Sequence, residues 1–252
     1  AVSAVAASWQ RDRPVGRFKW VVIDTIATLL GAPNSHVSGQ PIRELATQRG
    51  LAAYHARMRI ALDDADMDAQ LSRTLVAVAA EACDLGEALA TAGRVTPGDY
   101  DSWYAEWSAT AEAAQAVADR SADGGHTVTA RKAYLRASEY WRQAFFFLRH
   151  DITDERLQHA WREHRRTFRA AMPSLAFPGA ATEIPFDGVT MTGYLFRASA
   201  VGGSRPTVLA PCGYDSTAEA GYVATGYMAL ARGYNFFVFE GPGQGVGQGG
   251  LA

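Results

Sequence analysis

The hydrophobic pattern of the chain changes near residue 175, and this change limits the folds that the sequence can adopt. Before it, the sequence is rich in alanine and its apolar residues recur at helical spacing; after it, short β-type runs alternate with Gly and Pro. We therefore expect an all-α N-terminal domain at 1–175 and an α/β region at 176–252. The pattern predicts helices at about 18–31, 41–62, 66–92, 98–120, 127–149 and 153–172.

The second part of the sequence predicts a hairpin followed by a strand–helix–strand unit. The hairpin is TEIPFDGVTMTGYLFRA, which alternates with period two and turns at Asp187-Gly188. The run PTVLAPCG predicts a strand buried on both faces of a mixed sheet, and YNFFVFEG predicts another buried strand. Between them, 216–232 predicts a helix capped by Ser216 or Thr217. The two strands of such a unit should be parallel.

Composition and charge exclude several functions. The formal net charge of −2 offers no basic surface for nucleic acid or an anionic membrane. No stretch approaches roughly 18 uninterrupted apolar residues, so we expect no transmembrane helix. Cys83 and Cys212 lie far apart in the sequence, and we expect two free thiols and a reducing compartment, the cytoplasm. His159 and His164 are five residues apart, not the four that align two ligands on a helix, so we expect no metal site.

Two helices carry side chains that could line a site. In the helix at 127–149, Tyr134, Trp141, Phe145 and Leu148 fall on one face. Such an aromatic stripe is more often core than ligand site; substrate binding by Tyr134, Trp141 and Phe145 is the alternative. The next helix, DERLQHAWREHRRTFRAAM, is rich in arginine, and we expect its arginines on a solvated face with their stems on apolar neighbours.

The glycine-rich end of the chain allows a nucleotide-binding hypothesis. Gly245, Gly247 and Gly250 satisfy G-x-G-x-x-G after a predicted strand. A dinucleotide fingerprint also needs a helix immediately after it and an acidic residue about twenty positions further on. The chain ends two residues after Gly250, so the sequence tests neither requirement.

A second hypothesis starts from the segment VLAPCGYDSTAEAGY. Here a strand breaks at Pro211-Cys212-Gly213 and a helix opens near Ser216. Backbone N–H groups at such a break, near the positive end of a helix, suit the oxyanion that forms when a nucleophile attacks a carbonyl. An ordinary strand-to-helix turn fits the same residues equally well.

Three stretches of this chain resemble the α/β-hydrolases that carry a helical N-terminal cap domain. This group contains 2,6-dihydroxypseudooxynicotine hydrolase, the FrsA-like esterases and the fungal polyketide-shortening hydrolases. The stretches are HTVTARKAYLRASEYWRQAFFFLRHDITDERLQHAWREHRRTFRAA, then IPFDGVTMTGYLFRA, then PTVLAPCGYDSTAEAGY followed by FEGPGQG, and together they run from about 125 to 247. Residues 1–120 resemble the group only in being helical.

The resemblance implies an α/β fold, namely the first strands of an α/β-hydrolase sheet preceded by an all-α cap or dimerisation domain. It matches Gly213-Tyr214 to the family's oxyanion-hole loop, with the Tyr214 N–H as donor. It matches Glu240 to Gly245 to the family's DGPGQG loop near the catalytic cleft, with Glu in place of Asp. It further implies a homodimer and serine-type hydrolysis, without a cofactor, of a C–C bond next to a ketone, or of an ester. The substrate would be an aromatic or polyketide-like small molecule of secondary metabolism.

The family's catalytic serine lies in G-x-S-x-G, a motif that these 252 residues lack, and all six histidines precede residue 165. We therefore expect the catalytic triad beyond residue 252, an inactive chain on its own, and a natural start before residue 1, which is not Met. Cys212 is not expected to replace the serine, because no histidine is predicted near it. A helical interaction protein without catalysis is the third hypothesis.

Overall fold

The computed structural model describes residues 59–186, 188–199, 204–213, 215–241 and 244. The helix predicted at 18–31 lies outside these residues, as does 41–58 of the helix predicted at 41–62; residues 59–62 are not helical. The described helices of the N-terminal part are α1 (Ala65–Val76), α2 (Leu85–Ala92), α3 (Tyr100–Asp123), α4 (Thr127–Phe145) and α5 (Glu155–Ala171), and short 3₁₀ segments follow at Ala77–Ala80, Phe146–Leu148 and Met172–Ser174.

The single helix predicted at 66–92 is wrong, because the chain breaks between α1 and α2. Glu81 has a φ of 60°, a left-handed conformation that ends the 3₁₀ segment after α1. A new helix then begins at the cap Asp84, whose side chain accepts a hydrogen bond from Glu87 N at 3.0 Å. Periodicity alone misses such a break, because apolar residues continue on both sides of it.

The core of the helical part is built from tryptophans and alanines. Helix α4 packs against both α3 and α5. Trp103, Trp107 and Trp141 are fully or almost fully buried, and Trp103 Nε1 donates to Gln143 O at 2.7 Å. Buried alanines on α3 and α4 belong to the same core as these rings. Burying each such aromatic side chain stabilises the fold by about 1.5–3 kcal/mol.

The described sheet has four strands in the order β1-β2-β4-β3, with β1 at Gly179–Phe186, β2 at Val189–Phe196, β3 at Thr207–Pro211 and β4 at Asn235–Phe239. Strands β1 and β2 form the predicted antiparallel hairpin, and Gly188 in its turn has a φ of 80°. Strand β2 pairs antiparallel with β4, and β3 pairs with β4 in parallel, as predicted. Between β3 and β4 lie α6 (Ala218–Gly221), a π-helical turn (Tyr222–Gly226) and α7 (Tyr227–Ala231).

The expectation that β3 is buried on both faces is wrong for the described structure. Burial alternates along β3, and Leu209 is 42% exposed. The same alternation continues in β4, where Phe236 and Val238 are buried and Phe237 and Phe239 are partly exposed. The described helices cover one face of these two strands, so only every second side chain is enclosed. No helix among the described residues is long and apolar enough to cross a membrane.

Candidate functional site

The carboxyl ends of the two parallel strands meet at one edge of the sheet, where Pro211 is paired with Phe239. The loop that follows β3 begins there: Cys212 N donates to Phe239 O at 3.0 Å, and Ser216 N donates to Gly213 O at 3.1 Å. The loop that follows β4 is bonded to it, since Gln244 Nε2 donates to Cys212 O at 2.6 Å. The structure thus brings together two of the segments that the sequence singled out.

Gly213 is exposed in this loop, and its N–H makes no hydrogen bond to a described residue. A Cβ added at Gly213 would meet Asp215 Oδ1 at 3.7 Å and Ser216 Cβ at 3.9 Å, which are ordinary contacts. The surrounding described residues therefore do not require glycine at this position. Tyr214, the other residue of the predicted oxyanion loop, lies outside the described residues.

Two arginines from the helical part hold the same loop. Arg73 Nη1 lies 3.0 Å from Asp215 Oδ2, and Arg149 Nη1 donates to Asp215 O at 3.0 Å. Burial acts to raise the pKa of Asp215, but the charge and hydrogen bond of Arg73, with the charge of Arg149, lower it below its usual value. Asp215 therefore remains a carboxylate that anchors the loop to the helices.

A buried charge cluster, formed by His164, Arg165, Glu219 and Glu240, lies beneath these loops. Arg165 Nε donates to Glu219 Oε1 at 3.0 Å, and its Nη2 donates to Glu240 Oε2 at 3.0 Å. Glu219 is 0% exposed, Glu240 is 3% exposed and Arg165 is 7% exposed. The expectation of a solvated arginine face is therefore wrong for Arg165, which turns into the protein because two carboxylates there need a cation.

His164 connects α4, α5 and the segment that opens α6. Its Nδ1 lies 2.8 Å from Ser138 O, which can only accept, so Nδ1 carries a proton. Its Nε2 lies 2.8 Å from Thr217 Oγ1 and 3.5 Å from Glu219 Oε2. Thr217 caps α6 by accepting from Ala220 N at 3.1 Å. His164 thereby fixes the start of the helix that follows the Gly213 loop.

The two carboxylates of the cluster differ in their pKa. Burial acts to raise the pKa of Glu219, but the nearby His164 ring, the charge and hydrogen bond of Arg165, and a hydrogen bond from Tyr194 Oη hold it below its usual range. Burial and the charge of Glu219 raise the pKa of Glu240 to about 7, although Arg165 and the Ala218 N–H, 3.1 Å from Glu240 Oε1, oppose the rise. Glu240 therefore titrates near neutral pH.

The thiol of Cys212 is buried beside this cluster. Burial, followed by the negative charges of Glu240 and Glu219, raises the pKa of Cys212 well above its usual range. At neutral pH the side chain is a protonated thiol, which is a poor nucleophile. The geometry therefore does not support Cys212 as a replacement for a catalytic serine. Among the described residues, no group of three or more potential ligands has the arrangement of a metal site.

The aromatic stripe of α4 lies mainly in the helical core. Trp141 and Phe145 are buried in the helical core, where Trp141 Nε1 donates to Gln115 Oε1 at 2.9 Å. Phe145 meets the ring of His164 edge-on, with centroids 5.8 Å apart. Tyr134 is partly buried, and its Oη donates to Asp119 Oδ1 at 2.7 Å. Of the glycine-rich end, only Gly241 and Gln244 are described; Gly245, Gly247 and Gly250 lie outside the described residues.

Sequence reasoning missed the charge cluster, although a signal for it was present. The buried positions of α5 include Leu157, Trp161, His164, Arg165 and Phe168, which follow helical spacing. His164 and Arg165 therefore occupy the apolar stripe of their helix, and polar residues there need buried partners.

Comparisons with known proteins agree with this fold, although no protein-family model matches the chain. Over 183 residues the chain is 36% identical to the α/β hydrolase xenA of Xenoacremonium sinensis, a match that covers 71% of this chain and 43% of xenA. Over 178 residues it is 38% identical to the 20-hydroxy-prefusarin hydrolase FUS2 of Gibberella moniliformis, covering 69% of this chain and 42% of FUS2. The chain thus matches less than half the length of each of these relatives.

Among solved structures, 2,6-dihydroxy-pseudo-oxynicotine hydrolase is similar with a TM-score of 0.56 and 23% identity, over 68% of this chain and 46% of that one. At this identity the likeness concerns the fold. Together, the sequence relatives and the fold confirm the resemblance: the chain is a relative of the α/β-hydrolases. Its α/β region, with a mixed sheet, is preceded by a helical region.

Proposed function

We propose that the whole protein is a serine-type hydrolase that cleaves a C–C bond next to a ketone, or an ester, in an aromatic or polyketide-like small molecule. Relatives named as α/β hydrolases support a hydrolase, and the name of FUS2, a 20-hydroxy-prefusarin hydrolase, supports a small-molecule substrate. In this proposal residues 1–175 form the cap or dimerisation domain, and 176–252 begin the hydrolase domain.

One observation carries the proposal: the Gly213 loop is held firmly while the Gly213 N–H stays without a described partner. Asp215 is bonded to Arg73 and Arg149 on one side of the loop, and Cys212 O is bonded to Gln244 on the other. An oxyanion hole works because its donors are already in place when charge develops on the substrate oxygen. A loop with fixed ends, and with an N–H that has no partner among the described residues, meets that requirement.

The proposed chemistry is acyl transfer through a serine. The serine oxygen attacks the carbonyl carbon while a histidine takes its proton, and the carbonyl oxygen becomes the oxyanion. The N–H groups of Gly213 and Tyr214 then donate to that oxygen, and each such donor lowers the barrier by about 3–4 kcal/mol. Since these 252 residues lack G-x-S-x-G, the nucleophile and its partners would come from sequence beyond residue 252.

An activity comparison tests this proposal. The 252-residue chain and the full-length gene product are each assayed with p-nitrophenyl esters and labelled with a fluorophosphonate, which reacts with activated serines. We expect hydrolysis and labelling of the full-length protein and neither with the 252-residue chain. Activity of the 252-residue chain that survives repurification and disappears in Cys212→Ala would make Cys212 the nucleophile instead.

A binding screen separates the proposal from the nucleotide hypothesis. The melting temperature of the chain is measured with NAD, with ATP and with an aryl ester analogue. A ligand that binds only the folded state raises this temperature. A shift with NAD or ATP alone would favour a nucleotide-binding loop at the glycine-rich end.

A further inference from the structure

A cavity of about 670 Å³ lies between α5 and the β1–β2 hairpin, apart from the Gly213 loop. The cavity is open to solvent on one side, and Arg162, Arg166 and Arg169 in its lining are exposed. Its volume is comparable to that of sites for small organic ligands. Helix α5 forms one wall and the hairpin forms the other. The cavity is lined by Trp161, Arg162, Arg165, Arg166 and Arg169 from the helix, and by Ala181, Thr182, Glu183, Thr190 and Thr192 from the strands.

Four arginines and one carboxylate line this cavity, in a chain whose net charge is −2. Arg165 is paired with the two buried carboxylates of the charge cluster. Arg166 is paired with Glu163, whose Oε2 lies 2.9 Å from Arg166 Nε. Arg162 and Arg169 have no carboxylate partner among the described residues. Two positive charges on one wall are therefore left without a neutralising group.

Arg169 is also held in place. Its Nε donates to Tyr194 Oη at 3.1 Å, and Tyr194 Oη donates in turn to buried Glu219. The terminal nitrogens of Arg169 have no described partner and remain as donors. A guanidinium fixed through one nitrogen loses less freedom when it binds an anion, which favours binding.

We propose that this cavity binds an organic carboxylate with a planar apolar body, anchored by Arg162 and Arg169. The guanidinium fork matches the geometry of a carboxylate. Trp161 in the lining is 8% exposed, with the Arg165 guanidinium 4.6 Å from its ring centroid, so it adds apolar surface at the inner end of the cavity. The volume exceeds what an inorganic ion needs. Glu183 on the opposite wall disfavours a dianion such as phosphate, because like charges repel. The proposal does not depend on a reaction at the Gly213 loop.

Calorimetric titration of the 252-residue chain with 2-naphthoate tests the proposal, and neutral 2-naphthamide is the matched ligand. We expect naphthoate to bind and naphthamide to bind at least about ten-fold more weakly, because a charged hydrogen bond is lost. Arg162→Ala should weaken naphthoate about five- to ten-fold. Arg120→Ala removes an exposed arginine from the last turn of α3 and should leave naphthoate binding unchanged.

Glu183→Gln provides a test in the opposite direction. Removing the one carboxylate of the lining should tighten naphthoate binding a few-fold, an effect that damage to the fold would not produce. Circular dichroism of every variant checks that it is folded. The proposal is overturned if naphthoate does not bind, if naphthamide binds equally well, or if Arg162→Ala and Arg120→Ala behave alike. Inorganic phosphate that binds as tightly as naphthoate would overturn the choice of an organic carboxylate.

Discussion

Replacing Arg165 by methionine should destabilise the protein strongly. Arg165 donates to Glu219 and to Glu240, each at 3.0 Å, and all three side chains are buried. Methionine keeps much of the length and apolar character of the arginine stem but provides no charge. The two carboxylates would then face each other in the interior without their cation. Breaking a buried ion pair in this way costs about 3–5 kcal/mol of the free energy of unfolding.

The loss of unfolding free energy in Arg165→Met should depend on pH. The pKa of Glu240 is raised to about 7, so Glu240 is largely protonated at about pH 5.5 and ionised at about pH 8. Without Arg165, whose charge lowers this pKa, it rises further. A raised pKa of an acid stabilises the fold at low pH, and that contribution is lost as the pH rises through the folded pKa. The variant should therefore lose more stability at pH 8 than at pH 5.5.

Urea unfolding followed by circular dichroism and tryptophan fluorescence measures these losses at both pH values. The matched control is Arg166→Met, which removes the neighbouring exposed arginine and its surface pair with Glu163. Such a pair contributes about 0–1 kcal/mol. A loss in Arg165→Met below about 1 kcal/mol at pH 8, or a loss that is equal at both pH values, would refute the reasoning.

Three further predictions concern the cluster, the helical core and the loop. Glu240→Gln removes the titrating carboxyl group, whose pKa is raised from 4.5 to about 7 in the folded protein. Between about pH 5 and 8 the stability of the wild type should therefore fall by about 2–3 kcal/mol relative to this variant. Urea unfolding that shows the same pH dependence for both proteins would contradict this. Trp141→Ala should cost about 3–5 kcal/mol of the free energy of unfolding, since Trp141 is 1% exposed. If the melting temperature stays unchanged and the full-length enzyme binds its substrate more weakly, Trp141 lines the substrate pocket instead. In that enzyme Tyr214→Phe keeps its backbone N–H and should retain most of kcat. Gly213→Val should stay folded, because the described neighbours leave room for a Cβ, but its kcat should fall about a hundredfold because the β-branched side chain restricts the loop backbone. Full activity in Gly213→Val would contradict the oxyanion assignment.

The elements of the fold were largely predictable because local patterns determine them. Helical spacing predicted α3, α4 and α5, and period-two alternation predicted the hairpin with its turn at Gly188. The break between α1 and α2 was not predicted, because a left-handed Glu81 leaves no mark in the hydrophobic pattern. The exposure of Leu209 was missed for a different reason: an apolar run shows that a strand can be buried, and tertiary packing decides which face is covered.

The loop was predictable from sequence, whereas the charge cluster beneath it was not. A strand that breaks at Pro211 and a helix that starts near Thr217 are local events, and the structure has both. The pairing of Arg165 with Glu219 and Glu240 joins residues 54 and 75 positions apart, and no local pattern relates them. Their helical positions could have shown only that these groups are buried and need partners.

The charge cluster is better explained by the position it gives the loops than by stability. Desolvating two carboxylates and a guanidinium offsets most of their attraction, so an apolar core of equal volume would be about as stable. An apolar core, however, would not fix the direction in which each backbone segment leaves it, because apolar contacts are not directional. Here Glu219 and Thr217 hold the start of α6 against α5, and Glu240 accepts from Ala218 N while it holds the end of β4. Both loops at the edge of the sheet thus start from points that α5 fixes, and the helical region sets where the Gly213 N–H lies.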